Sequence, residues 1–225
     1  MQRPYHNRAH APRDALTYEL SQTDPDRFRD QVIEAVIKDT TFGGAILQRT
    51  MRQGLDPRHT IVDPSTFHSD SDAHTGAIRL GTAPMPPDLK EQVTFHPERF
   101  SYQDEITRRW LHEVNHKFLF DTADTPSVDS LTDVTFALRG DSQGRRGLSG
   151  LGSLPHFRGA YKAREDTVEL LTMYAYDPGF LAEFTTFLAD RKTDDIKERV
   201  GLSPLDTSSA DALYYAVEAA VTSNL

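Results

Sequence analysis

The chain has 225 residues and a mass of 25.3 kDa, room for one well-filled domain or one domain with an extra lobe, but not for two large ones. Hydrophobic residues make up 37% and charged residues 26%; apolar runs are only a few residues long, which excludes a membrane-spanning helix of about 20 apolar residues. A formal charge of -9, from 25 Lys and Arg against 34 Asp and Glu, argues against nucleic acid as a partner, and the absence of cysteine removes disulfides, thiol catalysis and cysteine-ligated zinc. Any metal site must therefore be built from carboxylates and the nine histidines. No apolar stretch follows the basic first residues, so no secretory signal is expected and the expected location is the cytoplasm.

Residues 1–24 are polar and aperiodic and read as an N-terminal arm or a frayed helix, ahead of a single domain over 25–225. Phe28, Val32, Ile33, Val36 and Ile37 predict a helix from about Asp26 to Lys38, with Asp24 as N-cap and Pro25 at its first position. A second helix is expected from Gly44 to Arg52, ended by Gly54. His59 to Val62 reads as a short strand, and Ser65 to His74 as an acidic, serine-rich loop. His68 and His74 beside Asp70 and Asp72 could bind a second cation, although a solvated loop is the plainer reading. Thr75 to Thr82 alternates as a strand, and the strongest helical signal runs from Tyr102 to Phe120.

The segment 121–160 reads as a long irregular loop, and its Arg139-Gly140-Asp141 tripeptide as a turn. Helices are expected at about 164–176, 178–190 and 209–222. Helices first, then a few strands, then more helices give an α+β class with helices packed on a small sheet.

The chemistry is concentrated in His112-Glu113-Val114-Asn115-His116, an HExxH motif. On a helix, residues four apart share a face, so both imidazoles can reach one metal ion while Glu113 projects beside it. Ile106, Trp110, Leu111, Val114 and Phe118 form an apolar stripe, placing the histidines on the opposite side, where Leu119 and Phe120 make a cleft floor. No third histidine follows at the spacing of an HExxHxxGxxH site. The third ligand is expected to be a carboxylate from a later helix, where Glu165 and Glu169 are again four apart, opposite Val168, Leu171 and Ala175. One would ligate the metal, and the other could orient a ligating histidine through its second ring nitrogen.

With these motifs the chain resembles the zincin metallopeptidases, of the gluzincin branch in which HExxH is completed by a downstream Glu. Glu165 to Leu170 is similar to the ExxxE helix of lethal-factor-like peptidases. The resemblance covers about residues 75–176. It implies a zincin-like fold, one catalytic zinc held by His112, His116 and Glu165, and Glu169 supporting a ligand histidine. It further implies Glu113 as general base, Tyr161 as oxyanion donor with His156 as an alternative, and a peptide or protein as substrate. The strand Thr75 to Thr82 would line the cleft, its edge taking up an extended peptide. Lys117 departs from the family pattern, which keeps an uncharged residue after the second histidine.

Three other readings compete. Tyr5-His6-Asn7-Arg8-Ala9-His10 resembles the opening of HD-type phosphohydrolases, but none of the nine histidines is followed by the Asp that such a site needs. A non-catalytic zincin-like binding module would keep the fold without the reaction, and an effector peptidase would act on one partner protein only.

Overall fold

The computed structural model describes residues 11–87, 99–139, 160–194, 197 and 205–225. Its class is α+β: helices dominate and a small three-stranded sheet lies between the third and fourth of them. Ala11–Thr23 forms α1, Pro25–Asp39 α2 and Gly43–Arg52 α3. The sheet comprises β1 (Ile61–Asp63), β2 (Asp70–Asp72) and β3 (Ala77–Gly81). Then follow α4 (Tyr102–Asp121), α5 (Pro126–Arg139), α6 (Ala160–Tyr176), α7 (Pro178–Ala189) and α8 (Thr207–Thr222). Among the described residues no helix is long and apolar enough to cross a membrane.

Local chemistry sets the starts of the main helices. The Asp24 carboxylate accepts from the Arg27 amide, with Pro25 at the first helical position, as expected for α2. In α4 a full capping box forms: Ser101 accepts from the Asp104 amide and Asp104 accepts from the Ser101 amide. Asp104 and Glu105 in this first turn also favour the positive end of the helix dipole.

Four expectations are corrected. Asp70–Asp72, inside the segment read as a loop, is strand β2, held by backbone pairing that its polar side chains do not advertise. Pro126–Arg139, in the segment read as irregular, is helix α5, whose Val128 and Leu131 are buried. The strand predicted from His59 begins two residues later, because Pro57–His59 is a 3₁₀ turn capped by Asp56. The sheet order is β1-β3-β2, so β3 is the central strand, parallel to β1 and antiparallel to β2. It has no edge to offer to a peptide, contrary to its predicted role.

Helix α4 is the hub of the fold, packing against α1, α2, α3, α6, β2 and β3. Ile106, Trp110, Leu111, Val114 and Phe118 are completely buried, and the Trp110 Nε1–H donates to Thr60 Oγ1 at 3.0 Å. Across from it, α6 buries Val168, Leu170, Leu171 and Ala175. The last turn of α6 is fixed by amides of the α2–α3 connection: Thr41 N–H donates to Tyr176 O and Phe42 N–H to Ala175 O, at 3.1 and 2.8 Å. Carbonyls that a helix end leaves unpaired are thus satisfied from a neighbouring element, which locks the axial position of α6 beside α4.

Candidate metal centre

Arg108, His112 and His116 stand at four-residue intervals along one face of α4, and Glu165 and Glu169 at the same interval along α6. The two stripes meet in opposite chain directions. Arg108 Nη2 donates to Glu169 Oε1 at 2.8 Å, and His112 Nδ1 lies 3.1 Å from Glu169 Oε2. Glu165 Oε2 lies 3.4 Å from His112 Nε2 and 3.5 Å from His116 Nε2. Asn115, fully buried one residue before His116, donates from Nδ2 to Thr172 Oγ1 at 3.1 Å and ties the same two helices together.

A carboxylate offers only lone pairs, so the Nδ1 of His112 carries the proton in its contact with Glu169. That leaves the lone pair of neutral His112 on Nε2, the nitrogen nearest Glu165. Ligand atoms of His112, His116 and Glu165 all lie within 4.8 Å of one another, and the three could hold a metal ion. Two atoms each about 2.0–2.1 Å from one tetrahedral ion stand roughly 3.3–3.4 Å apart, close to the two Nε2–Oε2 separations found. The three side chains keep 11%, 14% and 13% of their surface exposed, in the order His112, His116, Glu165, so the group is reachable from solvent.

Charges compress this cluster. Burial opposes a charged His112 ring, but the carboxylates of Glu165 and Glu169, aided by the charge of Glu113, outweigh it and push its pKa up to about 10. Burial would raise Glu165, yet His112 and His116 hold it well below the usual carboxylate range. Glu169 is likewise lowered, burial being overcome by His112 and Arg108.

Glu113 is buried and faces the sheet, where Ser71 Oγ on β2 donates to its Oε2 at 2.7 Å. Lys117 is buried too, with its Nζ 2.6 Å from Asp121 Oδ1 one turn later. The unexpected charge after the second histidine is thus paired within its own helix. Phe120 is partly exposed beside the metal-binding face and meets the His74 ring at 4.5 Å.

Asp70 pairs with Arg79, and the Asp72 carboxylate accepts from the His74 amide at 2.9 Å and the Thr75 hydroxyl at 2.9 Å. His68, His74, Asp70 and Asp72 form no metal-binding group among the described residues. Residues 1–10 and His156 lie outside the described residues, as does the side chain of Tyr161, whose backbone is in the first turn of α6. Ser71 and Arg108 are the site residues that sequence reasoning missed. Arg108 was signalled by its spacing, one turn before His112; nothing in the sequence singles out Ser71.

In comparison with known proteins, no protein-family model, no curated protein and no solved structure matches this chain.

Proposed function

We propose that the protein is a zinc-dependent peptidase of zincin type, with His112, His116 and Glu165 as zinc ligands and Glu113 as general base. The observation that carries this reading is the arrival of a carboxylate from α6 midway between the two imidazoles of the HExxH helix, at separations suited to one ion. Two imidazoles and one carboxylate are a donor set that zinc favours, and the set leaves a fourth position for water or substrate.

When bound, zinc supplies Lewis acidity to a substrate carbonyl and brings the pKa of a water toward neutrality. Glu113, held on one oxygen by Ser71, has its other oxygen to take the proton of the attacking water. As the carbonyl carbon gains the new C–O bond and the C–N bond breaks, Glu113 passes that proton to the leaving amine. Glu169 keeps the ring of His112 oriented. Tyr161, four residues before Glu165 in the same helix, is the assigned donor to the developing oxyanion. The sheet edge beside Glu113 belongs to β2, not β3, and an extended peptide adding to β2 would lie next to the base.

The test has two arms on purified protein. Elemental analysis is expected to give one zinc per chain, lost in His112→Ala. Zinc-loaded protein is expected to cleave unfolded casein, and Glu113→Gln to keep its zinc while losing cleavage by about 10²-fold or more. A chain that takes up no zinc, or a Glu113→Gln variant as active as the parent, overturns the assignment.

A further inference from the structure

We propose that Arg108 is a positioning residue of the metal centre that assigns the two carboxylates of α6 their separate tasks. By holding one oxygen of Glu169 while His112 holds the other, it commits Glu169 to orienting the histidine and leaves Glu165 as the ligand. The inference rests on reading the cluster as a metal site, and it concerns which residue makes that site selective for one carboxylate over its neighbour.

Arg108 lies one helical turn before His112, with a side chain only 11% exposed. Its guanidinium carbon is 4.5 Å from the centroid of the Phe100 ring and 5.4 Å from that of Phe180. Burying a guanidinium is unfavourable unless a partner compensates it. The carboxylate partner is Glu169, through Nη2 and Oε1 at 2.8 Å. The rings of Phe100 and Phe180 bound the guanidinium and limit where it can sit, a packing that the round ammonium of a lysine does not reproduce.

The consequence runs along three side chains: Arg108 fixes Oε1 of Glu169, Glu169 Oε2 fixes Nδ1–H of His112, and His112 presents Nε2 toward Glu165. Both oxygens of Glu169 are committed, whereas the Glu165 oxygen lies between the two imidazoles, 3.4 and 3.5 Å from their Nε2 atoms. Without Arg108, the Glu169 carboxylate would keep, among the described residues, the His112 contact alone in a buried place and could turn to compete for the ion.

The experiment is zinc affinity, measured on the full chain by competition with a chromophoric chelator. Parent protein is compared with Arg108→Met, Arg108→Lys, Glu169→Gln and the Arg108→Met/Glu169→Gln double variant. Arg108→Met is expected to weaken zinc binding by about 10- to 100-fold, the range typical for groups that support a ligand histidine. Arg108→Lys should fall between it and the parent. In the Glu169→Gln background the same Arg108 change should alter affinity by less than about threefold, because the effect travels through Glu169. Equal affinity for Arg108→Met and parent overturns the proposal, and so does an undiminished loss in the Glu169→Gln background, which would mark Arg108 as a packing residue. Should Arg108→Met fail to fold by circular dichroism, Arg108→Lys carries the test, with parent-like affinity as the refuting result. A parent protein that binds no zinc would remove the metal centre itself, a different failure from a zinc protein indifferent to residue 108.

Discussion

At the residue scale, Glu113 and Ser71 form the contact most directly open to chemical test. A hydroxyl 2.7 Å from one carboxylate oxygen restricts rotation of the group and leaves its second oxygen to act. Ser71→Ala is expected to lower kcat by about tenfold or more with little change in KM and with zinc content intact, since a hydrogen bond to a charged carboxylate contributes about 1.5–3 kcal/mol and about 1.4 kcal/mol is a factor of ten in rate. Steady-state cleavage of a protein substrate checks this, and Ser71→Thr, which keeps the hydroxyl, should recover much of the loss. The shared face of His112 and His116, and that of Glu165 and Glu169, are legible in the sequence, because helical spacing alone places residues four apart on one face; the spacing does not say which carboxylate meets the imidazoles. Ser71 was not readable: it belongs to a serine-rich, acidic stretch where nothing in composition separates one serine from the next. Arg108 has the spacing of that face, but its burial is not legible in the sequence, since burial is a property of what packs over a residue, not of the residue.

At the element scale, α4 holds two features worth testing by stability. Lys117 and Asp121 form a pair whose side chains are 6% and 10% exposed. Removing one partner strands the other charge, so Asp121→Ala should destabilise the protein by about 3–5 kcal/mol in urea unfolding. Replacing both by apolar residues should cost much less, and that contrast distinguishes a stranded charge from lost packing. The capping box is a smaller contributor: Ser101→Ala should lower stability by about 1 kcal/mol in the same measurement. In the sheet, a Cβ at Gly81 would meet the His68 carbonyl oxygen at 2.2 Å. Backbone that close tolerates only glycine, so Gly81→Ala should displace the segment leading into β2 and reduce activity along with stability. The amphipathic helix α2 is legible from three- and four-residue apolar spacing, and α3 is expected within a residue of where it stands. The short strand β2 and helix α5 were not, because Asp70-Ser71-Asp72 owes its conformation to pairing with β3, and α5 follows a stretch whose polar composition resembles a loop.

At the scale of the whole molecule, the metal-binding group also links stability to pH in the chelator-treated protein. For His112 the folded pKa, near 10, stands above its unfolded value of about 6.5, so its stabilisation is complete below pH 6.5 and fades as pH rises through 10. Glu165 has the opposite sign: depressed in the fold, it contributes fully above about pH 4.3 and loses that contribution as pH falls. Metal-free protein should therefore be most stable, as far as this cluster decides, between about pH 4.3 and 6.5. Adding zinc should raise the melting temperature most at pH 8 to 9, where ligation replaces a weakening ion pair and neutral imidazole is the liganding form. Scanning calorimetry with and without zinc across this range checks both signs; a zinc effect larger at pH 5 than at pH 8 would contradict the assignment.

The sequence by itself determined the chemistry available on each helix: two imidazoles with an acid beside the first on α4, and two carboxylates a turn apart on α6. It could do so because the helical repeat is a local property of the backbone. Only the tertiary structure decided which carboxylate sits between the imidazoles, which one orients His112, that Arg108 is buried against the latter, and that Ser71 reaches Glu113. Those pairings join residues as much as 57 and 61 positions apart, and their register is set by how α4 and α6 pack, by the buried Asn115–Thr172 contact and by the amides of Thr41 and Phe42 that fix the end of α6.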